Sequence, residues 1–377
     1  MSKYWKLNRD PLSSNKGLLS KDSLSDDYSV RTSSKEDINL TEISNFYNYN
    51  YRLDKSVDTI QLSPIDLSRY LNIDCEILTI LKEDKLIGSI ISMVVPIKSN
   101  TKIMVNKANL SDTNISDRFK NKIGSDSTIM ATTSFLILDR KYRGKGYGMA
   151  LIQESLKILF DNGGSSAYFI NSVSRCPNSI PLYTWYFPSN LVKLDKVKYI
   201  YPKNYKSLFT KDNNKNKIVK VDNANAEKVL SAYLSLIKDK NIFFCPSLSH
   251  WKKWIESFPT YAVLDQSFQD HSFQDELTQN IIGVFSFNSN NVKYPLCNDS
   301  FLLNGYLLFS IGKQPETING IIHMSKQLHD ILILYEIGDL SSRLLSSVNA
   351  QKDGKRYINF FNTHTKFSSS QFYAPLI

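Results

Sequence analysis

The stretch Ser134-Phe-Leu-Ile-Leu-Asp-Arg-Lys-Tyr-Arg-Gly-Lys-Gly-Tyr-Gly-Met-Ala-Leu-Ile-Gln153 carries the residues best suited to hold a charged ligand. Within it, Arg143-Gly-Lys-Gly-Tyr-Gly148 sets three glycines at alternate positions beside two cations. Glycine has no Cβ, so the backbone there can come close to a ligand. The apolar run 135–138 predicts a buried strand, and 149–160 has helical periodicity. The first N–H groups of such a helix lack an internal partner and can face an anion, so a pyrophosphate suits the place. The stretch reads R-x-x-G-x-G, which is neither the dinucleotide fingerprint G-x-G-x-x-G nor a Walker-type loop. From this stretch alone, a glycine-rich turn with solvated lysines is the simpler alternative.

The chain that positions this stretch has 377 residues, which predicts two domains of similar size. Its 42% hydrophobic content, with 21 Tyr and 20 Phe, is ample for large cores. A formal charge of +10 predicts an anionic partner, yet the lysines are scattered and no nucleic-acid-binding motif accompanies them. The phosphates of a CoA thioester would serve instead. Cys75, Cys176, Cys245 and Cys297 are widely spaced, and the five histidines show no metal-ligand spacing, so reduced thiols and no metal are expected. Without an N-terminal apolar region or a long apolar run, the expectation is a soluble, cytoplasmic protein.

Along the chain, residues 1–40 are polar and predicted mostly flexible, apart from Tyr4-Trp5, whose rings need a surface to cover. Residues 43–51 predict a short helix, and Ser63-Pro64 a capped helix start. Two β-rich runs, 76–81 and 86–95, flank Lys82-Glu-Asp-Lys85 and predict a hairpin. The glycine stretch and its helix follow, ended by Asn162-Gly-Gly164, and then a strand over 167–173. Residues 201–216 are taken as the join between halves. Beyond it, helices are expected over 224–237, 251–258, 318–328 and 340–348. Strands are expected over 261–264, 281–287, 305–311, 331–335 and 356–361, the last following a turn at Asp353-Gly354. The near-tandem Ser267-Phe-Gln-Asp270 and Ser272-Phe-Gln-Asp275 reads as a loop insertion.

With both halves in view, the chain resembles the glycylpeptide N-tetradecanoyltransferase (N-myristoyltransferase) family of the GNAT superfamily over nearly its whole length. Tyr4-Trp5 resembles the family's N-terminal Phe-Trp, Asn50-Tyr51 its Asn-Tyr, and Ser134-Phe-Leu136 its Asn-Phe-Leu. Arg140-Lys-Tyr-Arg-Gly-Lys145 is similar to its Lys-Lys-Leu-Arg-Ser-Lys, and Leu151-Ile-Gln-Glu154 to its Leu-Ile-Arg-Glu. Trp185 and Asn190 keep the family spacing, and Asp353-Gly354 matches the end of its Gly-Asp-Gly turn.

The resemblance implies an α/β fold with a mixed sheet, in which two tandem GNAT-like halves form one pseudo-symmetric saddle. The first half, 41–205, would bind acyl-CoA and the second, 206–377, the peptide. It implies transfer of myristate from myristoyl-CoA, a co-substrate and not a resident cofactor, to the N-terminal glycine amine of a protein by direct attack. The implied oxyanion hole is the backbone N–H groups of Phe135 and Leu136, and the implied base is the terminal carboxylate of Ile377, with Asn171 at the base-assisting position. Acyl-CoA would be held by Tyr4, Trp5, Arg143, Gly144, Lys145, Gly146, Tyr147, Gly148 and Met149. The peptide would meet Tyr51, Tyr186, Asp353 and Gly354. A monomer without nucleic-acid partner or membrane insertion is expected.

Several residues depart from the family. Its acidic run after Asn-Tyr is Arg52-Leu-Asp-Lys55 here, which predicts a weakened or changed preference for basic peptides. The base-assisting threonine is Asn171, a different donor geometry, and the histidine after Trp185 is Tyr186. Arg143 to Gly148 is more glycine-rich than the family's loop. These departures leave two alternatives open: a GNAT acetyltransferase with a short acyl group, and an inactive acyl-CoA or glycyl-peptide binder.

Overall fold

The computed structural model describes residues 28–33, 39–51, 59–73, 75–100, 128–161, 166–171, 174, 178–199, 215–265, 280–297, 300–361 and 368–376. The first part of the chain forms β1 (Tyr28–Ser33), α1 (Leu40–Asn50), β2 (Thr59–Gln61), α2 (Pro64–Asn72), β3 (Cys75–Lys82), β4 (Lys85–Ser99), β5 (Thr128–Leu138), α3 (Tyr147–Asp161), β6 (Ser166–Asn171), β7 (Ile180–Pro188) and α4 (Leu191–Lys196). Local chemistry sets several of these boundaries. Ser63 caps α2 through a reciprocal bond pattern with Asp66, and Pro64 occupies the first turn, where its missing N–H is no loss. Glu83 and Asp84 take φ values of +50° and +57°, the left-handed pair that a two-residue turn needs to close the β3–β4 hairpin.

The second part forms β8 (Lys217–Lys220), α5 (Ala226–Ile237), β9 (Ile242–Phe244), α6 (Leu248–Ser257), β10 (Thr260–Leu264), β11 (Ile281–Tyr294), β12 (Ser300–Gly312), α7 (Glu316–Leu328), β13 (Ile331–Tyr335), α8 (Ser342–Ser347), β14 (Gln351–Phe361) and β15 (Phe372–Tyr373). One mixed sheet runs β1-β3-β4-β5-β6-β14-β7-β13-β12-β11-β10-β8. The order is the same read from either edge if each strand of one part is exchanged for its counterpart in the other. Parallel pairs β5–β6 and β12–β13 correspond, each bridged by a helix, α3 or α7. The last strand of each part has crossed over, so that β14 lies beside β6 and β7 beside β13. The sheet is therefore continuous across the join, whose residues 201–214 lie outside the described ones.

On the sheet face bearing α1 and α2, one core runs through both parts, from Ile77 and Leu182 to Trp251 and Trp254. Both tryptophans are fully buried, and the Trp254 indole donates to Ser286 Oγ at 3.1 Å. Truncation of such a side chain typically costs about 3–5 kcal/mol. Helix α3 packs on β3, β4 and β5 on the opposite face, as α7 does on β10, β11 and β12.

Three expectations change. Asp353-Gly354 is not a turn before a strand: β14 begins at Gln351, and the register against β7 skips Asp353, leaving it in a bulge. A bulge absorbs the extra residue while pairing continues on both sides. Strand β11 runs to Tyr294, beyond the expected 287, because its pairing with β12 continues to Tyr294↔Ser300, and within that extension Asn288 Nδ2 donates to the Tyr70 hydroxyl at 2.7 Å. Strand β5 begins at Thr128, well before its apolar run. The tandem at 267–275, residues 1–27 and residues 162–164 lie outside the described residues.

Candidate active site

Strand β5 pairs with β4 on one side along most of its length, but with β6 only through Met130↔Ser166, Ala131↔Ala167 and Thr132↔Tyr168. Beyond Thr132 the two parallel strands separate. The β4–β5 register breaks in the same place: Ser89 faces Ile137 and Ile91 faces Ser134, so Phe135 and Leu136 together stand opposite Ile90. Phe135 adopts φ +55°, which for a bulky residue persists only where its surroundings hold it. Its ring is wedged edge-on against Tyr47 and Tyr70, with centroids 5.4 and 5.5 Å away. Leu136 is 44% exposed. A bulge interrupts the ladder locally, and it does so here on the edge of the splay.

The glycine loop follows. Gly144 and Gly146 have φ values of +77° and +94°, which answers the need for glycine at both. An added Cβ at Gly144 would meet nothing within 4 Å, so this glycine serves conformation or approach and not packing. The Gly146 carbonyl accepts from the Met149 and Ala150 N–H groups at 2.9 and 3.1 Å, which starts α3. The N–H groups of Tyr147 and Gly148 precede that ladder and have no intrahelical acceptor. Tyr147 is buried, with its ring between Tyr28 and Tyr142. Arg143 turns inward: Nε donates to the Leu138 carbonyl at 3.1 Å and Nη2 to the Asn50 carbonyl at 2.7 Å. It thereby caps the end of α1 and joins it to the loop, while Lys145, beside the Tyr142 ring, is exposed.

The second parallel pair holds only through Asn304↔Ile331, Gly305↔Leu332 and Tyr306↔Ile333, and the β11–β12 register then skips Leu308. Into this second splay comes the end of the chain: the Leu376 N–H donates to the Leu308 carbonyl at 3.0 Å. One residue earlier, the Pro375 carbonyl accepts from the Tyr168 hydroxyl at 2.8 Å, so the segment passes from the second splay to the root of the first. Ala374 and Leu376 are buried. A latch holds the approach. The Tyr373 hydroxyl and Lys240 Nζ both contact Asp339 Oδ1, at 2.8 and 2.9 Å, and Lys240 lies 4.8 Å from the Tyr373 ring centroid.

The sequence-derived residues thus fall in several places. Phe135 and Leu136 form the bulge, and Gly144 to Met149 form the loop and first turn on the same strand–helix unit. Tyr51 stacks on Tyr47, centroids 5.0 Å apart, within reach of the Phe135 ring's neighbours. Tyr186 and the Asp353-Gly354 bulge meet at the seam between β7 and β14, where the Tyr186 hydroxyl bonds Gln351. Asn171 ends β6 opposite Tyr357. Tyr4, Trp5, Ile377 and the run 52–55 lie outside the described residues. Sequence reasoning missed Tyr168, whose partner is 207 residues away, and no local pattern distinguishes it from its apolar neighbours.

No family model and no curated protein sequence matches the chain. Among solved structures, Saccharomyces cerevisiae N-myristoyltransferase with bound myristoyl-CoA is 14% identical with a TM-score of 0.69, over 91% of this chain and 84% of that one. The same enzyme with bound myristoyl-CoA and inhibitors gives 13% identity and a TM-score of 0.69, over 92% and 83%. At this identity the likeness speaks for the fold alone, and the fold of this chain is that of N-myristoyltransferase.

Proposed function

We propose that the chain is an acyl-CoA-dependent N-acyltransferase and, more finely, a glycylpeptide N-myristoyltransferase acting by direct amine attack. One observation carries the reading: of the two corresponding splays, the second receives the chain's own end at Leu308, whereas the first combines the Phe135 bulge with a glycine loop at a helix start. In this reading the CoA pyrophosphate lies on the first turn of α3 and the pantetheine arm runs between β5 and β6. The thioester carbonyl then lies at the bulge.

The acceptor amine attacks that carbonyl carbon, forming the C–N bond while the carbonyl π pair moves to oxygen. The N–H groups of Phe135 and Leu136 receive the oxyanion, at a typical value of about 3 kcal/mol for one such donor. Collapse expels CoA as the thiolate, and the amine proton passes to a base. An α-amine has a pKa of about 8, so a weak base suffices. The resemblance assigns that base to the carboxylate of Ile377, an assignment supported by the buried path of residues 374–376 past Tyr168.

Incubation with labelled myristoyl-CoA and a glycine-initiated peptide tests the proposal. Label should appear on the peptide α-amine. Absence of transfer from any acyl-CoA would sink the enzyme reading, and acetyl-CoA outcompeting myristoyl-CoA would sink the acyl specificity, because each buried methylene favours the long chain by ~0.8 kcal/mol.

A further inference from the structure

The face of the sheet that bears α1 and α2 continues across the seam of β14, β7, β13 and β12. Residues directly opposite in a ladder share a face, as do residues two apart on a strand. The registers Arg356↔Leu182, Thr184↔Tyr335 and Tyr306↔Ile333 therefore put Arg356, Thr184, Tyr335 and Tyr306 on one face, with Leu182 in the core shared with Tyr47 and Tyr70.

Two features mark this floor as a place for a ligand. Thr184 is only 2% exposed, yet its Oγ1 has no hydrogen-bond partner, a situation a fold ordinarily avoids. Arg356 is exposed, makes no ion pair with any carboxylate among the described residues, and shares its face with Tyr335 and Tyr306, whose phenols burial holds above their ordinary pKa while the Arg356 charge pulls them the other way. Guanidinium and hydroxyl donors together match a carboxylate. Asp353 lies three residues back along β14, toward Tyr186 and farther from β6.

We propose that Arg356 selects acceptor peptides with an acidic side chain close behind the N-terminal glycine. This rests on the N-acyltransferase reading, which brings the glycine to the Phe135 bulge. Arg356 stands one residue past the last β6–β14 rung, Tyr357↔Asn171, and β14 is two strand steps from β5. At about 4.8 Å per step that is about 10 Å, or roughly three residues of extended chain. The acidic residue therefore belongs at the second to fourth position of the acceptor.

The test uses the full chain and fluorescein-labelled glycine-initiated peptides that differ only in carrying Glu, Gln or Lys at each of those positions. Binding is read by anisotropy, and transfer from labelled myristoyl-CoA is read in the same samples. The Glu peptide should bind at least about tenfold more tightly than the Lys peptide at one of the positions. Arg356→Gln should abolish the discrimination and Arg356→Glu invert it, both with an unchanged melting temperature. Equal affinity for Glu and Lys peptides, binding of neither, or discrimination that survives both substitutions would overturn the inference. Transfer without charge discrimination overturns this inference and leaves the enzyme reading standing. Discrimination in binding without transfer from any acyl-CoA does the reverse.

Discussion

The Tyr168 hydroxyl donates to the Pro375 carbonyl at 2.8 Å from the last rung on which β5 and β6 still pair. This bond ties the end of the chain to the root of the splay proposed to hold the thioester. Burial pushes the Tyr168 phenol well above its ordinary pKa, so at neutral pH it is a neutral donor.

Tyr168→Phe keeps the edge-on contact with Phe372, centroids 5.3 Å apart, and removes only the hydroxyl. The Pro375 carbonyl loses that donor inside the protein, at a typical cost of about 1–3 kcal/mol, read as a lower denaturation midpoint. Because the segment carrying the proposed base is freed, kcat should fall more than KM for acyl-CoA rises. A stability loss with kcat intact would separate the tail from catalysis.

Gly146→Ala addresses the other end of the site. At φ +94° an L-residue is strained by about 1–3 kcal/mol, and the loop can relieve the strain only by shifting the carbonyl that starts α3. The expected result is a raised KM for acyl-CoA, measured by initial rates across acyl-CoA concentration, with little change in the affinity for peptide. A KM equal to that of the parent chain would remove the loop from acyl-CoA binding.

Much of this geometry follows from local sequence signals, and the parts that do not follow have physical causes. The Ser63 cap, the β3–β4 turn and the strand–glycine–helix order each depend on a few adjacent residues, so they appear in the chain where the fold uses them. The crossing of β7 and β14 depends on pairing between strands far apart in sequence. So does the path of the tail between Tyr168 and Leu308. The inward turn of Arg143 was equally hidden, since its acceptor on Asn50 is 93 residues away and an arginine in a glycine loop reads first as a phosphate ligand. The Asp353-Gly354 pair shows the converse error, because the same residue types serve a turn or a bulge and only the neighbouring strand decides.

Acid stability should depend on His329. It is buried at the end of α7, Nε2 lies 2.9 Å from Ser289 Oγ, and Nδ1 has no partner. An added Cβ at Gly305 would come within 2.4 Å of that Nδ1, so the strand beneath leaves no room for solvent to enter and hydrate an imidazolium. Burial lowers its pKa to about 4, against the weaker opposing pull of Asp330. The unfolded chain therefore takes up a proton near pH 6.5 that the folded chain refuses until about pH 4. The stabilisation is complete above the unfolded value and is lost as pH falls through the window between the two. The loss amounts to about 3 kcal/mol by linkage. Urea midpoints measured at half-unit steps from pH 7 to 4 should show this fall, and His329→Gln, which cannot take up the proton, should flatten it by one proton. An identical slope in the two chains would mean that His329 does not control acid unfolding.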